Sequence, residues 1–181
     1  QLNLQLLQED LDPAQPAHSR LINRLTTIRR ETSRLKDILD DFLRFAGKLE
    51  IDRKPVELGA MLEELVDFFS PQAQLQRIAL RLKKPDEPLV VPIDQRLIKQ
   101  SVLNLLINAA QAIGEAGGEI ILSARRDGAT AVIEVIDTGP GMAAEVMSNV
   151  FNAYYSTKRG GTGLGRAITK RIAEEHGGRI E

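Results

Sequence analysis

Three short stretches hold the side chains best able to do chemistry. The first is STKRGGTGLG, Ser156 to Gly165, where Gly160, Gly161, Gly163 and Gly165 crowd ahead of the helically spaced RAITKRIAEEH. Glycine loses more backbone freedom on folding than any other residue, so the cluster needs a reason. It is not a P-loop, in which lysine follows the glycines, because Lys158 precedes them. It is not the dinucleotide fingerprint either, because Gly161, Gly163 and Gly165 read G-x-G-x-G and no strand immediately precedes them. Bare amides at a helix start still suit a phosphate, and Lys158 would add a full charge. A flexible surface loop would have the same composition, and the run alone leaves both readings open.

The second stretch is IDTGPGM, in which Asp137 ends an apolar strand pattern and Gly139, Pro140 and Gly141 follow. A carboxylate there can accept hydrogen bonds from an amino group while small neighbours admit a flat ring. An ordinary Asp-Thr-Gly-Pro turn explains the same letters and, taken alone, is the better reading. The third is NLLINAAQA, where Asn104 and Asn108 are four apart and share a helix face. Asparagine is a poor helix former, so a pair in an apolar helix suggests a polar task. An amide oxygen is a competent Mg²⁺ ligand. For either residue alone, a solvated or core-bonded side chain is the simpler account.

These stretches need elements to position them. Residues 1–11 read as the tail of a helix, ended by the two prolines of DPAQPAHS. From Arg20 to Ala46 a second helix carries Leu21, Leu25, Ile28, Thr32, Leu35, Leu39, Phe42 and Ala46 at alternating steps of four and three. That period of about 3.5 is the signature of a bundle seam. Two such helices form a hairpin, and pairing with a second copy would bury the seam in a four-helix bundle. Beyond Gly47, IDRKPVEL reads as a short strand, and LGAMLEELVDFF as a helix that Pro71 should break or kink. IALRLKK alternates like a strand. DQRLIKQSVLNLLINAAQAI is a long helix with Asp94 as its N-cap. GEIILSARRD and TAVIEVID are strands joined through Asp127-Gly128. Thr138 to about Thr162 shows no strong regular pattern. Gly163 to His176 reads as a helix stopped by Gly177-Gly178, with RIE beginning another strand. The fold class is α+β: a helical hairpin over 1–48, then an α/β sandwich over 49–181 with a mixed, mostly antiparallel sheet.

With 181 residues, 43% hydrophobic, the chain can bury a core. A net charge of −1 gives no support to general nucleic-acid or membrane-surface binding. Cysteine is absent, which excludes disulfides and thiolate metal sites and fits a reducing, cytoplasmic setting. No apolar run approaches the ~20 residues of a membrane span, and QLNLQLLQED lacks the features of a signal peptide.

The order of the stretches resembles the nucleotide-binding domain of the GHKL ATPases, and more narrowly the catalytic core of two-component sensor histidine kinases. NLLINAAQA is similar to the family's N box, DTGPGM to its G1 box, FNAYYSTK to its F box and GTGLGRAI to its G2 box. The last two look most like the nitrogen-regulatory branch. The preceding hairpin matches the dimerisation and phosphotransfer module, so the resemblance covers essentially the whole chain. It implies ATP and Mg²⁺ as cofactors, with Asn108 as the metal ligand and Asn104 beside it. Asp137 would bind the adenine amino group, and Gly139 and Gly141 would line the base pocket. Met142 to Thr162 would form a lid, and Lys158, Gly161, Thr162, Gly163, Leu164 and Gly165 would hold phosphate. The implied partners are ATP or ADP, a second copy through the hairpin, and the receiver domain of a response regulator.

The match departs from the family at the phosphoacceptor. The family's histidine is followed by an acidic residue and, a few positions on, Asn-Pro. His18, in AHSRLI, and His176, in EEHGGR, both lack that context, so no catalytic residue is assigned. A structural role suits His18, and a helix cap suits His176. LNLQLLQEDL reads like helix just downstream of the acceptor, and the last strands are expected after GGRIE. By this reading the chain is a fragment that binds nucleotide without phosphorylating itself. Gln111 and Ala112 stand where many relatives carry a basic residue and an aromatic, and Arg166 replaces a common leucine. Clamp-type GHKL ATPases carry a glutamate where Asn104 stands, and an amide cannot act as a base. An anti-sigma-type serine kinase would share the nucleotide motifs, and so would a nucleotide-gated dimerisation module with a vestigial pocket. The hairpin argues against the serine kinase, and the intact motifs argue against a vestigial pocket.

Overall fold

The computed structural model describes residues 16–47, 49–155 and 163–181. The chain divides into two units, Gln1–Gly47 and Lys48–Glu181. In the first, helix α1 spans Pro16–Ala46. It starts four residues before Arg20, because proline at a first helical position lacks an amide that would have no partner there anyway and already holds a helical φ. The hydroxyls of Thr26 and Thr27 donate back to the carbonyls of Ile22 and Asn23 at 2.8 and 2.9 Å. Along the seam, Leu21, Ile28, Leu35, Leu39 and Phe42 are all exposed. The helix expected over 1–11, and with it the hairpin, lies outside the described residues.

The second unit begins with β1 (Lys54–Glu57) and α2 (Leu58–Leu75). Next come β2 (Ile78–Lys83), β3 (Val90–Ile93) and α3 (Gln95–Ile113). A 3₁₀ turn (Gly114–Ala116) leads into β4 (Gly118–Asp127) and β5 (Thr130–Asp137). The short α4 (Ala144–Asn149) and α5 (Gly165–Glu175) follow. β1 and β3 form an antiparallel pair, while β4 lies between a parallel β2 and an antiparallel β5. The β4–β5 hairpin turns at Gly128 (φ 58°), the first central position, where a type II′ turn places its glycine. Alternation along β4 sends Ile120, Leu122 and Ala124 inward, against Leu62 and Phe69 of α2 and Leu106 of α3.

The sequence reading misses several details. Pro71 does not end α2, which runs on to Leu75. The carbonyl it orphans belongs to Asp67, an exposed residue, so water can take it. β3 escapes notice because it is short and contains Pro92, which faces Pro55 across the ladder. A pair of prolines can only occupy a non-hydrogen-bonded site, so neither costs a ladder bond. The expected strand at RIE is not formed, since Arg179–Glu181 adopt no regular structure. The irregular stretch from Thr138 contains α4, and the glycine-led helix starts at Gly165 rather than Gly163.

Candidate functional site

Helix α3 is the spine of the site. Asp94 caps it, accepting the amide of Leu97 at 3.2 Å and that of Asp52 at 3.2 Å. Burial raises the Asp94 carboxyl, but these amides and Arg96 outweigh it and hold the group below its ordinary range. Along the helix, Asn104 donates through Nδ2 to Thr169 Oγ1 of α5 at 3.0 Å. The Thr169 hydroxyl in turn donates to Gly165 O at 3.0 Å. Asn104 is therefore fixed, with its Oδ1 toward the start of α5: a Cβ on Gly165 would sit 2.7 Å from that oxygen. Glycine at 165 is thus required by close approach, which brings the first turn of α5 onto the asparagine face. Leu164, just ahead, is buried, and no described side chain caps the helix.

One turn further on, Asn108 donates through Nδ2 to the carbonyl of Asn104 at 2.8 Å. That bond assigns the amide, because a carbonyl can only accept. Oδ1 of Asn108 has no protein donor among the described residues. Another turn along, Ala112 meets the loop after β5: a Cβ on Gly139 would lie 3.1 Å from Ala112 Cβ and 2.7 Å from Asp137 Oδ1. Asp137, exposed at the end of β5, accepts the Gly139 amide through Oδ1 at 2.8 Å. This is the Asx turn that the bland reading of IDTGPGM foresaw. It also holds the carboxylate in place, with Oδ2 given to no donor among the described residues. Gly141 follows at φ 74°.

Asn104, Asn108 and Ala112 span about 12 Å of helix at 1.5 Å per residue. The strand-end carboxylate thus stands at one end of a helical face and the α5 start at the other, with the Asn108 amide oxygen between. Gly163 meets a different neighbour. Its φ is 67°, and a Cβ there would be 2.5 Å from the backbone carbon of Tyr154, itself at φ 65°. The chain therefore leaves at Tyr155 and returns at Gly163 with its backbones in contact. Lys158, Gly161 and Thr162, expected to bind phosphate, lie outside the described residues.

The helix cap expected of His176 is found at the end of α5, while the sequence reading misses Thr169, Thr138 and the contact of the His176 ring with Asp94. Thr169 is a buried hydroxyl in a helix interior, a position that asks for a partner. Thr138 accepts the Glu119 amide through Oγ1 at 3.0 Å, pinning the strand end beneath Asp137. Ser101, also on α3, is buried, and its hydroxyl has no hydrogen-bond partner among the described residues. Among the described residues no cluster of three or more His, Cys, Asp or Glu could cage a metal. No described helix is long and apolar enough to cross a membrane.

An asparagine-bearing helix flanked by a strand-end aspartate and a glycine-led helix is the arrangement that the resemblance to the GHKL ATPases implies. Residues 93–181 match a model of the family described as histidine kinase-, DNA gyrase B-, and HSP90-like ATPase. The sensor histidine kinase ZraS of Escherichia coli (strain K12) is 34% identical over 152 residues, 84% of this chain and 32% of that protein. The structure of full-length ShkA in complex with AMPPNP superposes with a TM-score of 0.75 at 28% identity, covering 93% of this chain and 36% of that one. Histidine kinase ThkA, in complex with response regulator protein TrrA, gives a TM-score of 0.75 at 25% identity over 98% of this chain and 50% of that one. Residues 93–181 form a GHKL-family domain, and the chain is similar to the catalytic core of sensor histidine kinases. It spans about a third of the length of the curated relatives it matches.

Proposed function

We propose that this chain binds Mg·ATP along α3 as the nucleotide-binding part of a two-component sensor kinase. The observation that carries the reading is the convergence on one helix face: Gly165 against Asn104, the Asn108 oxygen that no described donor engages, and Gly139 with Asp137 against Ala112. Asp137 Oδ2 would accept the adenine amino group, with Gly139 and Gly141 leaving room for the ring. The amides at Gly163 to Gly165 would face phosphate at the positive end of α5, assisted by Lys158, Gly161 and Thr162. Asn108 offers one amide oxygen, which fits Mg²⁺ held mostly by phosphates and water rather than by a protein cage. When bound, the ion would neutralise charge on the phosphates. Asn104, an amide fixed by Thr169, cannot activate water, so the site favours transfer over hydrolysis.

The γ-phosphoryl would pass to a histidine nitrogen of a dimeric helical bundle as ADP leaves, and from there to an aspartate of a response regulator. The presence of TrrA on ThkA and of AMPPNP on ShkA supports that reading. His176 is not the acceptor, because both of its ring nitrogens are engaged with backbone groups. The exposed seam of α1 suits association with a second copy. Titrating ATP with and without Mg²⁺ tests the site. Wild type should bind in a Mg²⁺-dependent way. Asp137→Asn should abolish binding, and Asn108→Asp should change mainly its Mg²⁺ dependence. Normal binding by Asp137→Asn would overturn the adenine assignment.

A further inference from the structure

We propose that His176 is a positioning residue for the nucleotide site, a neutral imidazole that latches the far end of α5 onto the start of α3. The inference rests on the reading of α3 and α5 as walls of that site. His176 Nε2 lies 3.0 Å from the amide of Asp94, and Nδ1 lies 2.7 Å from the carbonyl of Ile172. An amide N–H can only donate and a carbonyl can only accept. The ring must therefore accept at Nε2 and donate at Nδ1, which defines the neutral Nδ1–H tautomer. A protonated ring would set a second N–H against the Asp94 amide, donor against donor, at a residue only 4% exposed.

The latch sits where leverage on the site is greatest. α5 is tied to α3 by side chains at two levels, Thr169 to Asn104 near its start and His176 to Asp94 at its end. Arg53 adds a third tie, donating through Nη2 to Glu175 O at 2.7 Å from the segment ahead of β1. Beyond the ring, Gly177 (φ 80°) and Gly178 close the helix, their amides on Glu174 O and Ala173 O at 2.9 Å each. This Schellman closure fixes where the ring projects. Both oxygens of Asp94 already serve the Leu97 and Asp52 amides. The charged groups in the network are Asp94 and Arg96 at the start of α3, Asp52 and Arg53 ahead of β1, Lys54 as the first residue of that strand, and Glu175 on α5 itself. The neutral ring makes the latch, and a proton on Nε2 would turn the Asp94 amide away. Release leaves Arg53 as the remaining side-chain tie at the end of α5 while Thr169 still holds its start, so the angle of the phosphate-facing turn is set less firmly.

The test uses the whole 181-residue chain. Long-range ¹⁵N–¹H correlation of the wild-type ring at pH 8 should show Nδ1 protonated and Nε2 bare; an Nε2–H tautomer overturns the proposal. ATP affinity in Mg²⁺ is then compared at pH 8 and pH 5.5. Glutamine offers an acceptor and a donor at similar spacing and does not titrate. His176→Gln should bind within about threefold of wild type at pH 8, and wild type should lose about tenfold more than it on acidification. His176→Phe should be weaker by about tenfold at pH 8. Coincident pH profiles for wild type and His176→Gln overturn the proposal. Should wild type not bind ATP at pH 8, the nucleotide reading fails instead. The ring tautomer and pH-dependent amide exchange in α5 then still decide whether the latch exists.

Discussion

Helices α1 and α3 are written in the same periodic language and meet opposite fates. In α1 the seam residues Leu21, Leu35 and Leu39 are 46%, 66% and 55% exposed. In α3 the corresponding stripe, Leu97, Val102, Leu106 and Ala109, is buried to 4% exposure or less. The difference lies in what each helix has to face. α3 has a sheet on one side and α5 on another, so its apolar stripe is removed from water within the unit. Periodicity says which face is apolar; only a neighbour turns that into stability.

Truncating a buried stripe should cost most. Leu106→Ala should destabilise the second unit by about 2–5 kcal/mol, read by urea denaturation, because the residue is fully enclosed. Gly163→Ala should come next, at about 1–3 kcal/mol, since its Cβ must enter the Tyr154 backbone at positive φ. It should also weaken ATP, and unchanged affinity would detach that junction from the site. Glu57→Ala should cost about 1 kcal/mol of helix capping. The Glu57 carboxylate accepts the amides of Gly59 and Ala60 at 2.9 and 2.6 Å. The Ala60 and Gly59 amides, with lesser help from Leu89 and Lys84, hold Glu57 below its ordinary range against the cost of burial. A lowered carboxyl stabilises above its unfolded value and loses that contribution as pH falls through the folded one. Melting scans below pH 5 should therefore show a shallower acid loss for Glu57→Gln than for wild type. Smallest of all, Leu35→Ala should shift the stability of the dilute chain by less than about 0.5 kcal/mol. A concentration-dependent cost approaching that of Leu106→Ala would mean that a second copy covers the α1 seam.

Much of the second unit was legible because its signals are local. Asp94 capping α3, the Asp127-Gly128 turn and the Gly177-Gly178 stop each depend on a few adjacent residues, and each is found. Boundaries set by context were read less well. Pro71 stays inside α2 because the core residues Phe69 and Ala73 on either side hold the helix in place, and β3 exists because β1 lies beside it. At the site, the glycines from Gly161 to Gly165 were singled out for freedom and phosphate access, and Gly139 for admitting a flat ring. The structure adds that Gly165 and Gly139 are small because Asn104 and Ala112 press on them. That requirement comes from another part of the chain and leaves no local mark.

By itself, the sequence determined the long helices among the described residues and most of the strands, the capping groups, and the residue types able to hold a nucleotide. These follow from spacing and side-chain chemistry within a few residues of one another. Only the tertiary structure decided that the helix face carrying Asn104, Asn108 and Ala112 has Gly165 at one end and Asp137 at the other. It alone showed that the His176 ring joins the end of one helix to the start of another 82 positions away in the chain. Hydrogen bonds and close contacts between distant segments depend on how the elements pack, and no local pattern of residues encodes that packing.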